Sequence, residues 1–242
     1  MRIAIISDIH ANLHALEAVL AVIDADSVDE VWCLGDLVGY GPRPTECVAL
    51  VRERASICLV GNHDLAVIGL IDLHLFQGEA GAAAAWTTSV LDPGAGAYLG
   101  SLKTTAGAEG VSLAHGSPRD PVWEYVLSPA TAEAALAMSG EPLVLVGHSH
   151  VALAFASGET GISGELAPAG TEIELGIGRH VLNPGSVGQP RDGDPRAAWL
   201  VIDTASGRAT FCRTDYPIEL TQAEMRERGL PQALSERLAY GV

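Results

Sequence analysis

Apolar runs that stop abruptly at polar or glycine residues punctuate this chain. RIAIISD (Arg2 to Asp8), VWCLGD (Val31 to Asp36), SICLVGNHD (Ser56 to Asp64), VSLAHGS (Val111 to Ser117) and PLVLVGHSH (Pro142 to His150) share this form. Several are continuously apolar rather than alternating, as strands covered on both faces require. Between them the period changes. Leu13, Leu16, Val19, Leu20 and Ile23 recur at helical spacing. RPTECVALVRERA and PATAEAALAMS read as helices with proline near their starts. The Gly/Ala-rich stretch from Gly78 to Gly110 is weakly patterned, with a helix expected over Glu79 to Val90 and a loop after it. The first half therefore predicts β-α-β-α-β, the pattern of an α/β domain. From Val151 onward strands and turns dominate, and AAWLVIDTASGRATFCRTD reads as a hairpin turning at Ala205–Gly207. Thr221 to Tyr240 reads as helical. The sequence holds no internal repeat and no low-complexity linker, so residues 1–242 are expected to form one domain with helices at about 220–240.

Composition narrows the function classes. A chain of 242 residues that is 48% hydrophobic and 18% charged is globular and long enough for a substantial core. Its net charge of −16, with no cluster of Lys and Arg to invert the field, disfavours long nucleic acid and anionic membranes as partners. Cys33, Cys47, Cys58 and Cys212 form no CxxC pair, and Cys33 and Cys58 fall in expected buried strands. A reduced, cytoplasmic setting is the simplest expectation. The opening MRIAIISDIH is too short and too soon charged for a signal peptide, and no apolar run approaches the roughly 20 residues needed to span a bilayer.

The chemistry gathers where the apolar runs end. The first ends in Asp8-Ile9-His10, the second in Gly35-Asp36, the third in Gly61-Asn62-His63-Asp64; later ones end in His115-Gly116 and Gly147-His148-Ser149-His150. Open α/β sheets bind ligands beyond the carboxyl ends of their strands. Five of the eight histidines fall at these ends, together with two carboxylates and an amide oxygen. A mix of imidazole and carboxylate suits Zn, Mn, Fe or Ni rather than Ca or a thiolate-bound ion. Seven candidate ligands exceed the needs of one tetrahedral ion and suit two ions roughly 3.5–4 Å apart that share a carboxylate.

This ordered set, D8-x-H10, G35-D36, G61-N62-H63-D64, H115-G116 and G147-H148-S149-H150, resembles the calcineurin-like metallophosphoesterase family. The later stretch NPGSVGQPRDGDPRAAWLVID looks like its small bacterial and archaeal phosphoesterase branch. The resemblance implies a four-layer α/β/β/α sandwich with two mixed β-sheets and the metal site at strand ends. It implies that Asp8, His10 and His150 hold one metal, that Asn62, His115 and His148 hold a second, and that Asp36 bridges them. It implies two divalent or trivalent ions, Mn foremost, with Fe, Zn, Ni or Mg compatible. It makes His63 a catalytic residue and no ligand, contacting the phosphate and protonating the leaving oxygen or stabilising its charge. It makes the reaction an in-line attack of a metal-bound hydroxide on a phosphodiester or phosphomonoester, without a covalent intermediate. The family's serine/threonine protein phosphatases carry GDxxDRG, where Gly39 and Tyr40 stand here, so a protein-phosphatase assignment is disfavoured and His63 lacks a named partner. Ala11 also departs from the usual DxHGN.

Other residues are weighed individually. Asn12 reads first as a helix N-cap and secondly as a substrate contact. Tyr40 would line the pocket or pack on the surface. Arg191 would reach an anionic substrate or stay solvated in its loop. The stretch Asn183 to Gly188 resembles a family turn near the site, and its glycines and proline point first to turn geometry. His14, His74 and His180 receive no role. The expected activity is a metal-dependent phosphoric ester hydrolase acting on a small phosphorylated substrate. A metal-binding scaffold without catalysis and a nuclease are the alternatives. A homo-oligomer through the C-terminal helices stays open.

Overall fold

The computed structural model describes residues 1–159 and 161–242. In chain order it begins β1 (Arg2–Ile6), α1 (Leu13–Ala25), β2 (Glu30–Cys33), α2 (Pro44–Arg54), β3 (Ile57–Cys58) and α3 (Asn62–Val67). Next come α4 (Gly78–Val90), α5 (Pro93–Leu99), β4 (Thr105–Ala108), β5 (Val111–Ala114), α6 (Pro129–Ser139) and β6 (Leu143–Leu145). The remainder is β7 (Ala152–Gly158), β8 (Gly161–Leu166), β9 (Glu172–Glu174), β10 (His180–Pro184), β11 (Ala197–Asp203), β12 (Arg208–Thr214), α7 (Ile218–Glu227) and α8 (Gln232–Glu236).

The strands form two mixed six-stranded sheets. One runs β3-β2-β1-β11-β12-β9 and the other β4-β5-β6-β10-β7-β8. β1, β2 and β3 are parallel in the first sheet. β5, β6 and β10 are parallel in the second. The continuous apolar runs follow from this layering. In β1, Ile3 and Ile5 point at the second sheet and join Trp32, Leu113, Leu143, Leu145 and Leu182 in the inter-sheet core. Ala4 and Ile6 point the other way, against Leu16, Val19 and Leu20 of α1 and Val48 and Val51 of α2. β6 repeats the division, with Val144 turned to Ala132, Ala135 and Leu136 of α6. Alternation along a strand buries both faces because both faces are covered. The fold is the expected α/β/β/α sandwich with two mixed sheets.

Three local differences from the sequence reading have clear causes. β3 is only two residues long, and Asn62, His63 and Asp64 open helix α3 instead of ending the strand. Asp64 sets that helix start, accepting from Gly61 N at 3.0 Å. The stretch after Val90 holds α5, where Asp92 caps Gly94 N at 2.7 Å and Pro93 occupies the first turn. Cys58 is half-buried rather than buried, because β3 is an edge strand. No helix among the described residues is long and apolar enough to cross a membrane.

Candidate metal centre

The carboxyl ends of β1, β2 and β3 meet those of β5 and β6 across the two sheets, and the expected residues converge there. Asp8, His10 and His150 bring ligand atoms within 4.8 Å of one another, and so do Asp36, His115 and His148. A third such group, His10, Asp36 and His63, links them. All of these side chains are buried. Asn62 joins the second group through Oδ1, 3.1 Å from His115 Nε2.

Tautomers follow from the neighbours. His10 Nδ1 faces Val38 O at 3.0 Å, His150 Nδ1 faces Gln189 O at 2.7 Å, and His115 Nδ1 faces Leu34 O at 3.0 Å. A carbonyl only accepts, so each Nδ1 carries a hydrogen, which makes Nε2 the lone-pair nitrogen whenever the ring is neutral. Yet His10 Nε2 and His150 Nε2 lie 3.0 Å apart, and Asp8 Oδ1 lies 3.3 Å from the latter. Lone pairs so close repel unless a cation lies among them. Asp36 Oδ2 stands between the groups, 3.7 Å from His10 Nε2 and 3.3 Å from His115 Nε2. Asp8 Oδ1, Asp36 Oδ2 and His148 Nε2 are buried and meet no hydrogen-bond partner among the described residues. Buried polar atoms are normally paired. Unpaired acceptors on carboxylates and imidazoles, all converging, fit divalent metal ions.

Electrostatics agree with this fit. Burial lowers His10 well below the ordinary histidine value and takes His148 down to about 4, which leaves both rings neutral, the ligating form. Burial would raise Asp8, but the facing His150 outweighs it and holds the carboxylate below its usual range. Burial opposes protonation of His115 as well, yet Asp36 beside it raises that ring to about 9. The position calls for positive charge.

The backbone that aims these groups is strained. Asp8, His10, Asp36, His148 and His150 all have positive φ, between 49° and 65°, as do Ala11 and Tyr40. Such conformations cost energy for residues with a Cβ and cluster at functional sites. Hydrogen bonds hold them. Ser7 Oγ donates to Asp8 Oδ2 at 2.6 Å and His148 N donates to the same oxygen at 3.1 Å. Asp64 Oδ1 accepts from Leu37 N at 2.8 Å and Val38 N at 3.0 Å, which fixes the loop after Asp36. Ser186 Oγ donates to Asp8 O at 2.7 Å, and Asn183 Nδ2 to Gly147 O at 2.6 Å. Ser7, Asp64, Asn183 and Ser186 thus support the centre without joining it. The sequence reading gave them no such part; Asp64, Asn183 and Ser186 stood in noticed motifs, but their roles depend on contacts with other loops.

His63 has an aromatic setting. Its backbone N–H donates to Asp36 Oδ1 at 2.9 Å. Its ring lies 4.9 Å from His10, 4.4 Å from Tyr40 and 4.7 Å from Phe76, centroid to centroid. Gly39 stands where a Cβ would come within 2.6 Å of His63 Nδ1, so the backbone itself packs on the ring. Packing against Tyr40, Phe76 and Gly39, rather than a carboxylate, orients this imidazole. Burial lowers it to about 4.

The remaining candidates separate. Tyr40 is in the centre, not on the surface. Arg191 is no solvated loop residue: its guanidinium lies 5.7 Å from the Tyr40 ring centroid and donates to Gln189 Oε1 at 2.8 Å. Asn12 is turned away from substrate duty. Its Oδ1 accepts from Ala15 N at 3.3 Å and from Thr221 Oγ1 at 2.9 Å, while Nδ2 donates to Gly188 O at 2.9 Å. It caps α1 and ties α7 to the sheet. His14 lies on α1 with Nε2 3.4 Å from Glu224.

Comparison with known proteins agrees with the geometry. Residues 1–207 match the family model described as the calcineurin-like phosphoesterase superfamily domain. The chain is 36% identical over 245 residues to the uncharacterized protein MJ0912 of Methanocaldococcus jannaschii, covering 99% of this chain and 98% of that one. Its fold superposes on the crystal structure of a metallophosphoesterase from Sphaerobacter thermophilus with a TM-score of 0.91 and 46% identity, covering 100% of this chain and 99% of that one. A shorter similarity, 34% identity over 73 residues, links 29% of this chain to 27% of the symmetrical bis(5'-nucleosyl)-tetraphosphatase of Thioalkalivibrio sulfidiphilus. The chain therefore belongs to the calcineurin-like phosphoesterase superfamily and is a metal-dependent phosphoric ester hydrolase.

Proposed function

We propose that the protein hydrolyses a phosphodiester or phosphomonoester of a small molecule at a centre built for two metal ions. The observation that carries this reading is the pair of ligand groups meeting at Asp36, whose Oδ2 lies within 3.7 Å of an imidazole of each. Asp8, His10 and His150 would hold one ion, Asn62, His115 and His148 the other, and Asp36 both. Bound there, the ions would supply Lewis acidity to phosphoryl oxygens and lower the pKa of coordinated water. The chain's own part is to position and to exclude water. The positive-φ loops fix the donors before substrate arrives, so little reorganisation is needed during the reaction. His63, neutral and wedged between Tyr40 and Phe76, would hydrogen-bond the phosphate and the departing oxygen. Arg191 adds a fixed positive charge at the mouth beside Tyr40. Manganese is the ion we expect, and four free thiols are compatible with a reducing, cytoplasmic setting.

The tetraphosphatase relatives support a small phosphorylated substrate, and the charge of −16 weighs against a nuclease that must grip a polyanion. The presence of His63 at the centre weighs against a scaffold without catalysis. The test is paired initial rates on bis(p-nitrophenyl) phosphate and p-nitrophenyl phosphate, with chelator-stripped protein and Mn²⁺ titrated back. Metal-dependent turnover is expected, and the ratio of rates assigns diester or monoester preference. No turnover of either, at any Mn²⁺ concentration, would move the reading to the scaffold. His63→Ala should retain its metals and lose about 10²–10⁴-fold in kcat.

A further inference from the structure

Aromatic residues are scarce in this chain: three Phe, five Tyr and four Trp in 242 residues. Four of the twelve nevertheless surround the metal centre. Tyr40 is buried against His10 and His63. The other three lead outward from it. Phe76 packs on His63 and continues to Trp123, 5.8 Å away between centroids. Tyr125 lies flat on His148, with centroids 4.1 Å apart and planes 9° from parallel. Trp123 is 39% exposed and Tyr125 46% exposed, although both sit beside buried groups of the site.

Their loop is stiff. Gly116 N donates to Pro121 O at 2.8 Å and Ser117 N to Asp120 O at 3.0 Å, which closes the segment directly after His115. Asp120 Oδ1 accepts from Val122 N at 3.2 Å and from Trp123 N at 3.1 Å. Arg119 and Ser117 both bond Glu124. Large apolar rings on a braced loop lose little entropy when they bind something. Two half-exposed rings beside a buried site offer flat faces, and a flat ring is well matched by another flat ring.

We propose that Phe76, Trp123 and Tyr125 form a stacking shelf for a planar aromatic group carried on the phosphate, which makes nucleoside phosphoesters the substrate class of this centre. The proposal rests on the phosphoesterase reading for the place of the phosphate. The shelf is continuous with the metal centre, since Tyr125 covers one proposed ligand and Phe76 covers His63. Arg191, near Tyr40, meets the negative charge of the ester, while the rings meet its base. The acidic surface suits a single nucleotide unit rather than a long strand.

The test is equilibrium binding, which does not depend on turnover. Adenosine 5′-monophosphate and ribose 5-phosphate are titrated calorimetrically into Mn²⁺-loaded protein. They differ only in the base. The shelf predicts that the nucleotide binds about tenfold tighter or more, the range that stacking of one base provides. Trp123→Leu, which removes a ring that touches no proposed ligand, should weaken the nucleotide several-fold and shrink that ratio towards one. Tyr125→Phe keeps the stacking face and should keep the ratio. Equal affinities of the two ligands in the parent protein would overturn the shelf, even where bis(p-nitrophenyl) phosphate is hydrolysed. Conversely, a tenfold preference without any hydrolysis would keep the shelf and defeat the phosphoesterase reading.

Discussion

The same backbone conformation appears in two regions of this molecule for opposite reasons. Ser27 and Glu109 have positive φ of 52° in exposed turns remote from the metal centre. There it simply lets a short connection close. Asp8, His10, Asp36, His148 and His150 adopt the same conformation while buried, with carboxylates and imidazoles crowded together. In the turns, strain is a by-product that any glycine would relieve. In the centre, strain aims lone pairs at common points, and a network through Ser7, Asp64, Asn183 and Ser186 keeps it in place. The comparison shows where this protein trades stability for chemistry.

The largest effect expected from disturbing the centre comes from Asp36→Asn. An amide keeps the size and can still accept from His63 N, but it cannot bridge two cations. Activity should fall about a thousandfold or more. Asp36 also faces His115, 3.3 Å away, and the two hold each other in their charged forms, so removing this charge should lower the stability of the metal-free protein, read as a lower Tm in chelator. A metal-free variant more stable than the parent would contradict this pairing. Gly39→Ala ranks next. The new Cβ would lie 2.6 Å from His63 Nδ1 at a φ of +88°, so His63 must shift. About 1–3 kcal/mol of stability should be lost, and kcat should drop while metal affinity is kept. The smallest effect belongs to Glu109→Gly. Relieving the positive φ of the turn should stabilise by up to about 1 kcal/mol and leave kcat and KM unchanged. A change in activity there would erase the distinction between the two regions.

Much of this was legible in the sequence, and the limits are physical. Apolar runs reported β1, β2, β5 and β6 because both faces of those strands are covered. Pro129–Ser139 was readable as a helix because Pro129 sits at its start, as it does in PATAEAALAMS. The residues that converge at the centre were readable as a group because they fall where those runs stop. β3 as a two-residue edge strand, and the helix that starts at Asn62, were not, because Asp64 caps that helix and also binds Leu37 and Val38 from another loop. Asp92-Pro93 carried a cap signal for α5 that the surrounding Gly/Ala-rich composition hid. The setting of His63 was out of reach for a different reason. Tyr40, Phe76 and the pair Trp123 and Tyr125 come from three separate loops, and no periodicity joins them. Asn12 and Arg191 divide: the N-cap read first for Asn12 is the role it has, whereas Arg191, read first as solvated, stands beside Tyr40.

The central claim is that two ions are held by one set of buried residues that meet at Asp36. Calorimetric titration of Mn²⁺ into chelator-stripped protein, with bound metal counted after gel filtration, tests it most directly. Two Mn²⁺ per chain in the parent, with loss of at least one in Asp36→Asn, is the predicted result. One ion or none per chain in the parent, or two ions retained without Asp36, would contradict it.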